Sequence, residues 1–339
     1  MEKYKTKSYE LATLIQSLQP WNFFTDTDPI YVHMLDDTDL YIDIMGAAGK
    51  IYGVTFFEGE SGLGDMLEMA NSSNNTDADN YYLMCDMSNI TLYFDDIKDI
   101  INPSFIVCIE KDYSNLKGKI PYFVRYKRGN FPIKPNRNEF KKLDIYLEIL
   151  KLIILKVKEE GFSQRDDEIL AVYLDDDYKD EGIDGLVFTS LPYPQMSMRY
   201  FDLPYDAKRT KKLKKKKESN DFLIIDGKYM SPQIADEYKN PVFPYIVLLI
   251  AGSGELRDIR FILPDEDRVS VFQDMILNNI EQFGIPETIA VRREEIEASI
   301  APIADDLDFE FSDIDWNLLD EEFDKIEQFA SMDDSDNYQ

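Results

Sequence analysis

Apolar positions along the first half of the chain follow two periods. Between residues 138 and 159, Leu143, Leu147, Leu150 and Ile154 recur with the spacing of one helix face, which predicts a long amphipathic helix. Shorter apolar runs bounded by Gly, Pro, Asn or Asp predict strands. These strands are at 40–45, 51–57, 90–94, 104–109 and 122–126, with further helices at 9–19, 62–70 and 95–101.

The second half repeats this alternation of strands and helices. Strands are predicted at 169–174, 186–189, 222–225, 245–250, 256–263, 288–291 and 308–311, and helices at 265–283, 294–300 and 315–330. Gly284 and Pro286 end the first of these helices. We therefore divide the chain into an N-terminal α/β module (1–161), a connecting segment of strands, acidic loop and basic linker (162–221), a C-terminal α/β module (222–330) and an acidic tail (331–339).

The two halves share a short internal similarity. When Gly49 is placed on Gly254, residues 44–50 align with residues 249–255, and both halves read strand, glycine turn, strand, helix, strand, short helix, strand. Short antiparallel hairpins exclude a wholly parallel sheet. The predicted fold class is thus α/β (α+β), with two related modules of mixed β-sheet and flanking helices.

Charge and cysteine content narrow the class of protein. The 339 residues include 37 Lys+Arg and 66 Asp+Glu, so the net charge is 37 − 66 = −29, which opposes binding to nucleic acid or anionic membranes over most of the surface. Cys85 and Cys108 are too few for a secreted disulfide framework. No signal-peptide pattern or membrane-spanning run is found. We expect a cytoplasmic protein with reduced thiols.

One segment is strongly basic, in contrast to the net negative charge of the chain. Residues 208–217 contain eight Lys or Arg side chains in ten positions. Such runs bind polyanions or are solvated linkers, and no aromatic residue lies among the lysines to stack on bases. We interpret the run as an exposed linker that also contacts acidic surface of its own chain. The polyanion-binding candidates are Lys211, Lys212, Lys214, Lys215, Lys216 and Lys217.

A block between Trp21 and Leu63 resembles a family of uncharacterised bacterial proteins. The matching residues are Trp21, Phe24, Asp26, Asp28, Tyr41, Met45-Gly46, Gly49, Tyr52-Gly53 and Glu58-Gly59-Glu60-Ser61-Gly62-Leu63. Some members of that family end in a Cys-rich, metal-binding tail, whereas this chain has no cysteine after Cys108. The resemblance implies a two-part architecture, and it implies no particular activity.

Most candidate catalytic and metal-binding residues lack the spacing in the sequence that their chemistry requires. His33 is the only histidine and has no nearby nucleophile or metal ligand in the sequence, so we interpret it as structural. The run 59–64 lacks the Gly-Lys-Ser/Thr ending of a phosphate loop, and we interpret it as a turn between a strand and a helix. The acidic loop 175–184 lacks the ligand spacing of an EF-hand, so we interpret it as a solvated loop. We predict no metal and no cofactor.

The C-terminal module suggests one specific enzymatic function. Its predicted order of elements is that of ribonuclease H-like domains: three strands, a helix, a strand, a helix, a strand and a helix. In such domains, carboxylates bind two metal ions for phosphodiester cleavage. Asp226 ends the first of these strands, and Glu294 follows the fourth. A third ligand is missing, and Arg292 and Arg293 occupy the place expected for it. An inactive domain of similar shape is the better interpretation.

The last predicted helix has an apolar stripe formed by Trp316, Leu319, Phe323 and Ile326, with acidic residues on its other faces. This stripe either packs on the C-terminal module or binds a partner's groove.

The sequence favours a non-enzymatic, acidic interaction or accessory protein that binds another protein. The alternatives are a metal-dependent phosphodiesterase or nuclease in the C-terminal module, and an acidic nucleic-acid mimic that inhibits a basic enzyme.

Overall fold

The structure is a computed structural model that describes residues 3–25, 27–71, 85–96, 119–161, 167–194, 203–219, 221–230, 242–314, 316 and 319–326. The chain divides into two compact units. The first comprises Met1–Arg128 and Pro132–Ser197, and the second comprises Gly129–Phe131 and Met198–Gln339. No helix among these described residues is long and apolar enough to cross a membrane.

The first unit is built on a seven-stranded mixed sheet. Its elements are α1 (Lys3–Leu18), a 3-10 turn (Pro20–Asn22), β1 (Ile30–His33), β2 (Asp39–Met45), β3 (Gly53–Glu58), α2 (Gly59–Asn71), β4 (Asn89–Asp95), β5 (Ile120–Tyr126), α3 (Arg137–Glu160), β6 (Glu168–Leu174), α4 (Tyr178–Glu181) and β7 (Leu186–Pro192). The strand order is β5-β4-β3-β2-β1-β6-β7. Only β1 and β6 are parallel neighbours, so the sheet is mixed, as predicted.

Helix α3 carries the apolar centre of the first unit. Asn136 caps its start, because the side chain accepts hydrogen bonds from two backbone amides while Glu139 bonds back to the Asn136 amide. Phe140 and the predicted stripe Leu143, Leu147, Leu150 and Ile154 are all 0% exposed. The helix ends at Gly161, whose φ of 73° suits glycine. The predicted long helix is confirmed to within one residue at each end.

The hairpin of β2 and β3 is also confirmed. The Gly49 N–H donates to the Gly46 carbonyl at 2.9 Å, and Gly46 has a φ of 138°. A Cβ at Gly46 would lie 2.8 Å from the Tyr52 ring and 3.0 Å from the Trp21 Cβ. Glycine is therefore required here both by backbone conformation and by close packing.

The second unit is built on a five-stranded mixed sheet. Its elements are α5 (Ala207–Leu213), β8 (Phe222–Tyr229), β9 (Tyr245–Ala251), β10 (Leu256–Ile262), α6 (Arg268–Phe283), β11 (Thr288–Val291), α7 (Glu294–Leu307) and β12 (Glu310–Ser312), followed by a helical segment at 319–326. The strand order is β10-β9-β8-β11-β12. Strands β8, β9 and β10 are antiparallel, whereas β11 is parallel to β8, and β12 is parallel to β11.

The internal similarity extends only over hairpin and helix. After α2, the chain returns beside β3 and pairs antiparallel as β4. After α6, the chain crosses to the far side of β8 and pairs parallel as β11. The two modules therefore share a strand–turn–strand–helix unit and then differ in topology.

The predicted boundary at residue 161 differs from the structure. Strands β6 and β7, which the sequence places in the connecting segment, extend the first sheet, because β6 pairs parallel with the distant β1. Several predicted features lie outside the described residues. These are most of the helix at 95–101, the strand at 104–109 and the tail at 331–339.

Candidate functional site

A buried charge cluster lies where β8 and β11 run side by side. Asp226, on β8, is 1% exposed. Its Oδ1 accepts hydrogen bonds from the Gly227 amide at 2.8 Å and from the Arg293 Nε at 3.1 Å. The Arg292 Nε lies 3.4 Å from its Oδ2. Because Val291 pairs with Ile225, the arginines that follow β11 lie beside Asp226. Asp226 lies inside β8 and not at its end, where the sequence predicts it to be, because β8 continues to Tyr229 in its pairing with β9.

Burial and charge act in opposite directions on Asp226. Burial raises its pKa, and the nearby guanidinium groups of Arg293 and Arg292 lower it, with burial the larger effect. The negative charge of Asp320 raises the pKa further. Oδ2 has no hydrogen-bond partner among the described residues. The carboxylate thus depends on its two arginines for its negative charge.

The end of the second unit covers this cluster. Arg292 donates to Asp320 at 2.9 Å and lies over the Trp316 ring at 4.8 Å. Lys228 lies 5.2 Å from the Phe323 ring centroid and 3.9 Å from the Asp324 carboxylate. Both cations therefore face the segment at 316–326.

The apolar stripe of that segment packs on its own sheet. Leu319 is 0% and Phe323 2% exposed, in a core cluster with Ile224, Ile246 and Leu248, while Trp316 and Ile326 are partly buried against it. The structure favours packing on the module over a partner-binding role for these four residues. Every second side chain of β8 points to the same face of the sheet as Ile224 does. Asp226 and Lys228 therefore lie on the face against which this segment packs.

The arrangement differs from a two-metal site. Both carboxylate oxygens of Asp226 lie near arginines, Oδ1 near Arg293 and Oδ2 near Arg292. Glu294 is exposed in the first turn of α7. No group of three Asp, Glu, His or Cys side chains suited to a metal ion occurs in the part of the chain that the structure describes.

A second polar cluster, which no sequence motif marks, lies on the opposite face of β8. Arg268, at the start of α6, is hydrogen-bonded to the Tyr229 hydroxyl and lies 3.4 Å from Glu295. Its guanidinium also lies 4.2 Å from the Tyr245 ring centroid. A Cβ at Gly227 would lie 2.3 Å from the Tyr245 ring, so this ring packs directly on the strand. Burial raises the pKa of Tyr245, which keeps it protonated.

The basic run is folded onto its own unit. The prediction of a linker is corrected for residues 207–213, which form α5, because Thr210 and Leu213 are buried against the unit. Arg209 contacts Asp274 at 2.8 Å, Glu281 at 2.9 Å and Asn278 at 2.6 Å. The predicted contact with acidic surface of the same chain is confirmed.

The six candidate lysines of the basic run are all exposed. Lys214 lies 3.2 Å from Asp306, and the Lys216 ammonium donates to the Glu281 carbonyl at 2.5 Å. Lys211, Lys212, Lys215 and Lys217 form no ion pair with the described residues. Polyanion binding by this run stays a prediction.

We expect Arg209→Gln to lower the free energy of unfolding by about 1 kcal/mol, because its ion pairs are partly solvated. The loss should shrink as salt rises. Lys215→Gln is the matched control, because Lys215 forms no ion pair with the described residues. Urea denaturation at two salt concentrations measures both, and equal losses in the two variants would contradict the expectation.

The remaining sequence candidates fall on ordinary structural positions. His33 lies on β1 with its Nδ1 3.3 Å from both Asp39 and the Tyr31 hydroxyl. The glycine-rich run 59–64 corrects a prediction: these residues form the first turns of α2, which begins directly after β3, and not a separate turn before the helix. Cys85 is a buried free thiol, and Cys108 lies outside the described residues.

Comparisons with known proteins agree with this two-part architecture. Residues 6–172 match a family model described as Domain of unknown function (DUF7309), and residues 209–327 match one described as Domain of unknown function (DUF6930). No curated protein and no solved structure matches the chain. The chain therefore carries two domains of unknown function, DUF7309 and DUF6930, in agreement with its resemblance to uncharacterised proteins.

Proposed function

We propose that this protein is a non-enzymatic interaction protein whose acidic surface binds a basic partner protein. The observation that carries the proposal is the placement of charge. Residues 294–339 contain 17 Asp+Glu and one Lys, so they account for 1 − 17 = −16 of the net charge of −29. Among the described members, Asp305, Asp308, Glu310 and Asp313 are exposed. Such a surface attracts basic partners and accelerates their association.

The charge cluster around Asp226 supports a binding role over catalysis. Its carboxylate is neutralised by arginines and is inaccessible to solvent, whereas a two-metal site needs several carboxylates open to the metal ions. The element order and the mixed strand directions of the second unit are compatible with a ribonuclease H-like shape. On this proposal the second unit is an inactive scaffold of that kind.

The test compares binding by two charge variants of the full chain. One variant is Asp305→Asn, Asp308→Asn, Glu310→Gln and Asp313→Asn. The matched control is Asp175→Asn, Asp176→Asn, Asp177→Asn and Asp180→Asn, which removes the same charge from exposed positions of the first unit. Partners are first captured from native lysate at low and high salt and identified by mass spectrometry, and affinities are then measured with the purified partner.

We expect the first variant to bind the basic partner at least about tenfold more weakly, equivalent to about 1.4 kcal/mol, and the control to bind as the wild type does. High salt should release the partner. A partner that is a basic nucleic-acid enzyme would identify the protein as a nucleic-acid mimic. Equal weakening in both variants, or capture that resists salt, would contradict the proposed surface. Mg²⁺- or Mn²⁺-dependent cleavage that Asp226→Asn abolishes would establish the nuclease alternative.

A further inference from the structure

Strand β7 is an edge strand without the usual protection. It lies at one end of the seven-stranded sheet and pairs only with β6 among the described strands. Its sequence, Leu-Val-Phe-Thr-Ser-Leu-Pro, has no charged residue, although 30% of the chain is charged. Val187 is 51% exposed, and Thr189 and Ser190 are also exposed. Exposed, uncharged edge strands are templates for pairing with another strand.

The other sheet edges in the described part of the chain are protected. Strand β10 carries Arg257, Asp258 and Arg260 and has an irregular register at its start. Strand β12 has three residues and begins with Glu310. On β5, Arg125 already exchanges backbone hydrogen bonds with Ile133 on its outer side. Charged side chains, an irregular register, a short strand and an occupied outer side all hinder pairing of an edge strand with another strand. Of the features that hinder such pairing, β7 has only a terminal proline.

The backbone hydrogen bonds show which groups of β7 face outward. The Tyr193 amide donates to the Asp167 carbonyl at 2.8 Å, and the Asp175 amide donates to the Gly185 carbonyl at 3.0 Å. In an antiparallel pair, hydrogen-bonded residues alternate along the strand. The backbone groups of Val187, Thr189 and Leu191 therefore face β6, and those of the intervening residues face away from the sheet.

Only the middle of this outer edge offers complete pairs of backbone groups. At one end, the Leu186 amide donates to Ile183, and the Leu186 carbonyl accepts from Lys156 at 2.9 Å. At the other end, Pro192 has no amide hydrogen. Phe188 and Ser190 remain, each with an outward N–H and an outward carbonyl. These four groups form a unit that is symmetric about Thr189.

We propose that two copies of this chain pair through their β7 strands, antiparallel, about a twofold axis at Thr189. Phe188 of each copy then exchanges two hydrogen bonds with Ser190 of the other, and Val187 lies opposite Leu191. The two Thr189 side chains face each other as a directly opposed pair, an arrangement in which threonines hydrogen-bond and like charges repel. The same patch serves both copies, which closes the assembly at a dimer.

Charge sets the salt dependence of this dimer. The paired strands carry no charge, so no salt bridge is lost as salt rises. The two copies each carry −29 and repel at long range, and salt screens that repulsion. The dimer should therefore tighten as salt rises. The proposed basic partner is released by salt, so the two proposals can fail independently.

The experiment is analytical ultracentrifugation of the full chain over a concentration series at two salt concentrations. We expect a shift from the monomer mass of 39.5 kDa toward twice that value, with stronger association at high salt. Thr189→Lys and Thr189→Glu should each weaken association at least about tenfold, because like charges then meet on the twofold axis. An equimolar mixture of the two variants should associate again.

Controls separate pairing from misfolding. Thr189 is exposed, so both variants should retain the wild-type thermal unfolding curve, and Asp184→Lys is the charge control near the strand but outside it. Ser190→Pro removes an outward amide without removing a bond to β6, and should also give a monomer. The proposal is overturned if the wild type stays monomeric at all concentrations, or if the charged Thr189 variants associate as it does. It is also overturned if the mixture fails to associate.

Discussion

Replacing Arg292 and Arg293 together by glutamine is expected to lower the free energy of unfolding by about 3 kcal/mol at neutral pH. The cause is Asp226, which is 1% exposed and, without its two cations, must either hold an uncompensated buried charge or take up a proton. Breaking a buried ion pair from one side leaves an uncompensated charge, which costs more than the pair itself contributes. Chemical denaturation with a readout for the second unit measures the loss.

The pH dependence of this loss follows from the direction of the Asp226 pKa. Burial already holds that pKa above its ordinary value of 3.8, and removal of the two arginines removes the groups that lower it. A carboxyl group whose pKa is raised by folding binds its proton more tightly in the folded state. The cost is therefore fully present above the folded-state pKa and is relieved as pH falls from that value toward the ordinary pKa of 3.8. The variant should approach wild-type stability in acid.

A third substitution identifies Asp226 as the source of the cost. Asp226→Asn removes the charge and nearly preserves the shape, so the triple variant should be more stable at neutral pH than the double variant. Together with the wild type and the single Asp226→Asn variant, they form a thermodynamic cycle whose coupling energy isolates the interaction. If the double variant is no less stable than the triple variant, or is equally unstable at every pH, the arginines act through other contacts.

Leu147→Ala is expected to cost about 2–5 kcal/mol in the first unit, the range for deleting a buried leucine side chain. Leu147 is 0% exposed on α3, in the core cluster of the first unit. The matched control is Leu155→Ala, the same chemical change on the same helix at a side chain that is 37% exposed. It should cost less than about 1 kcal/mol, because surface changes create no cavity.

Urea denaturation of the full chain measures both leucine variants. Because the chain has two compact units, unfolding of the first should shift while a probe of the second, such as Trp316, reports a smaller change. Equal losses for the two leucines would mean that α3 is not the centre of the first core.

Local patterning in the sequence determined a large part of this fold. The 3.6-residue period of Leu143, Leu147 and Leu150 predicted α3, because a helix buries one face whatever it packs against. The glycines at 46 and 49 predicted the β2–β3 hairpin, because a turn with positive φ favours residues without a Cβ. The order of strands and helices in the second unit likewise came from short-range signals alone.

The candidate site was only partly predictable. The sequence marked Asp226 and placed Arg292 and Arg293 after the neighbouring strand, so their proximity could be anticipated from a parallel pairing of β8 and β11. The Arg268–Tyr229–Tyr245 cluster could not, because its members come from three elements without a shared motif. The only local signal was an arginine at the start of α6.

The sequence by itself thus determined most of the helices and strands, their order and the excess of negative charge. The tertiary structure decided that β6 and β7 complete the first sheet, that the basic run folds onto α6, and that Leu319 and Phe323 pack on the second sheet. The physical reason is the range of the interactions. Helix and hairpin signals act between residues a few positions apart, whereas strand order and buried ion pairs depend on which distant surfaces exclude water together.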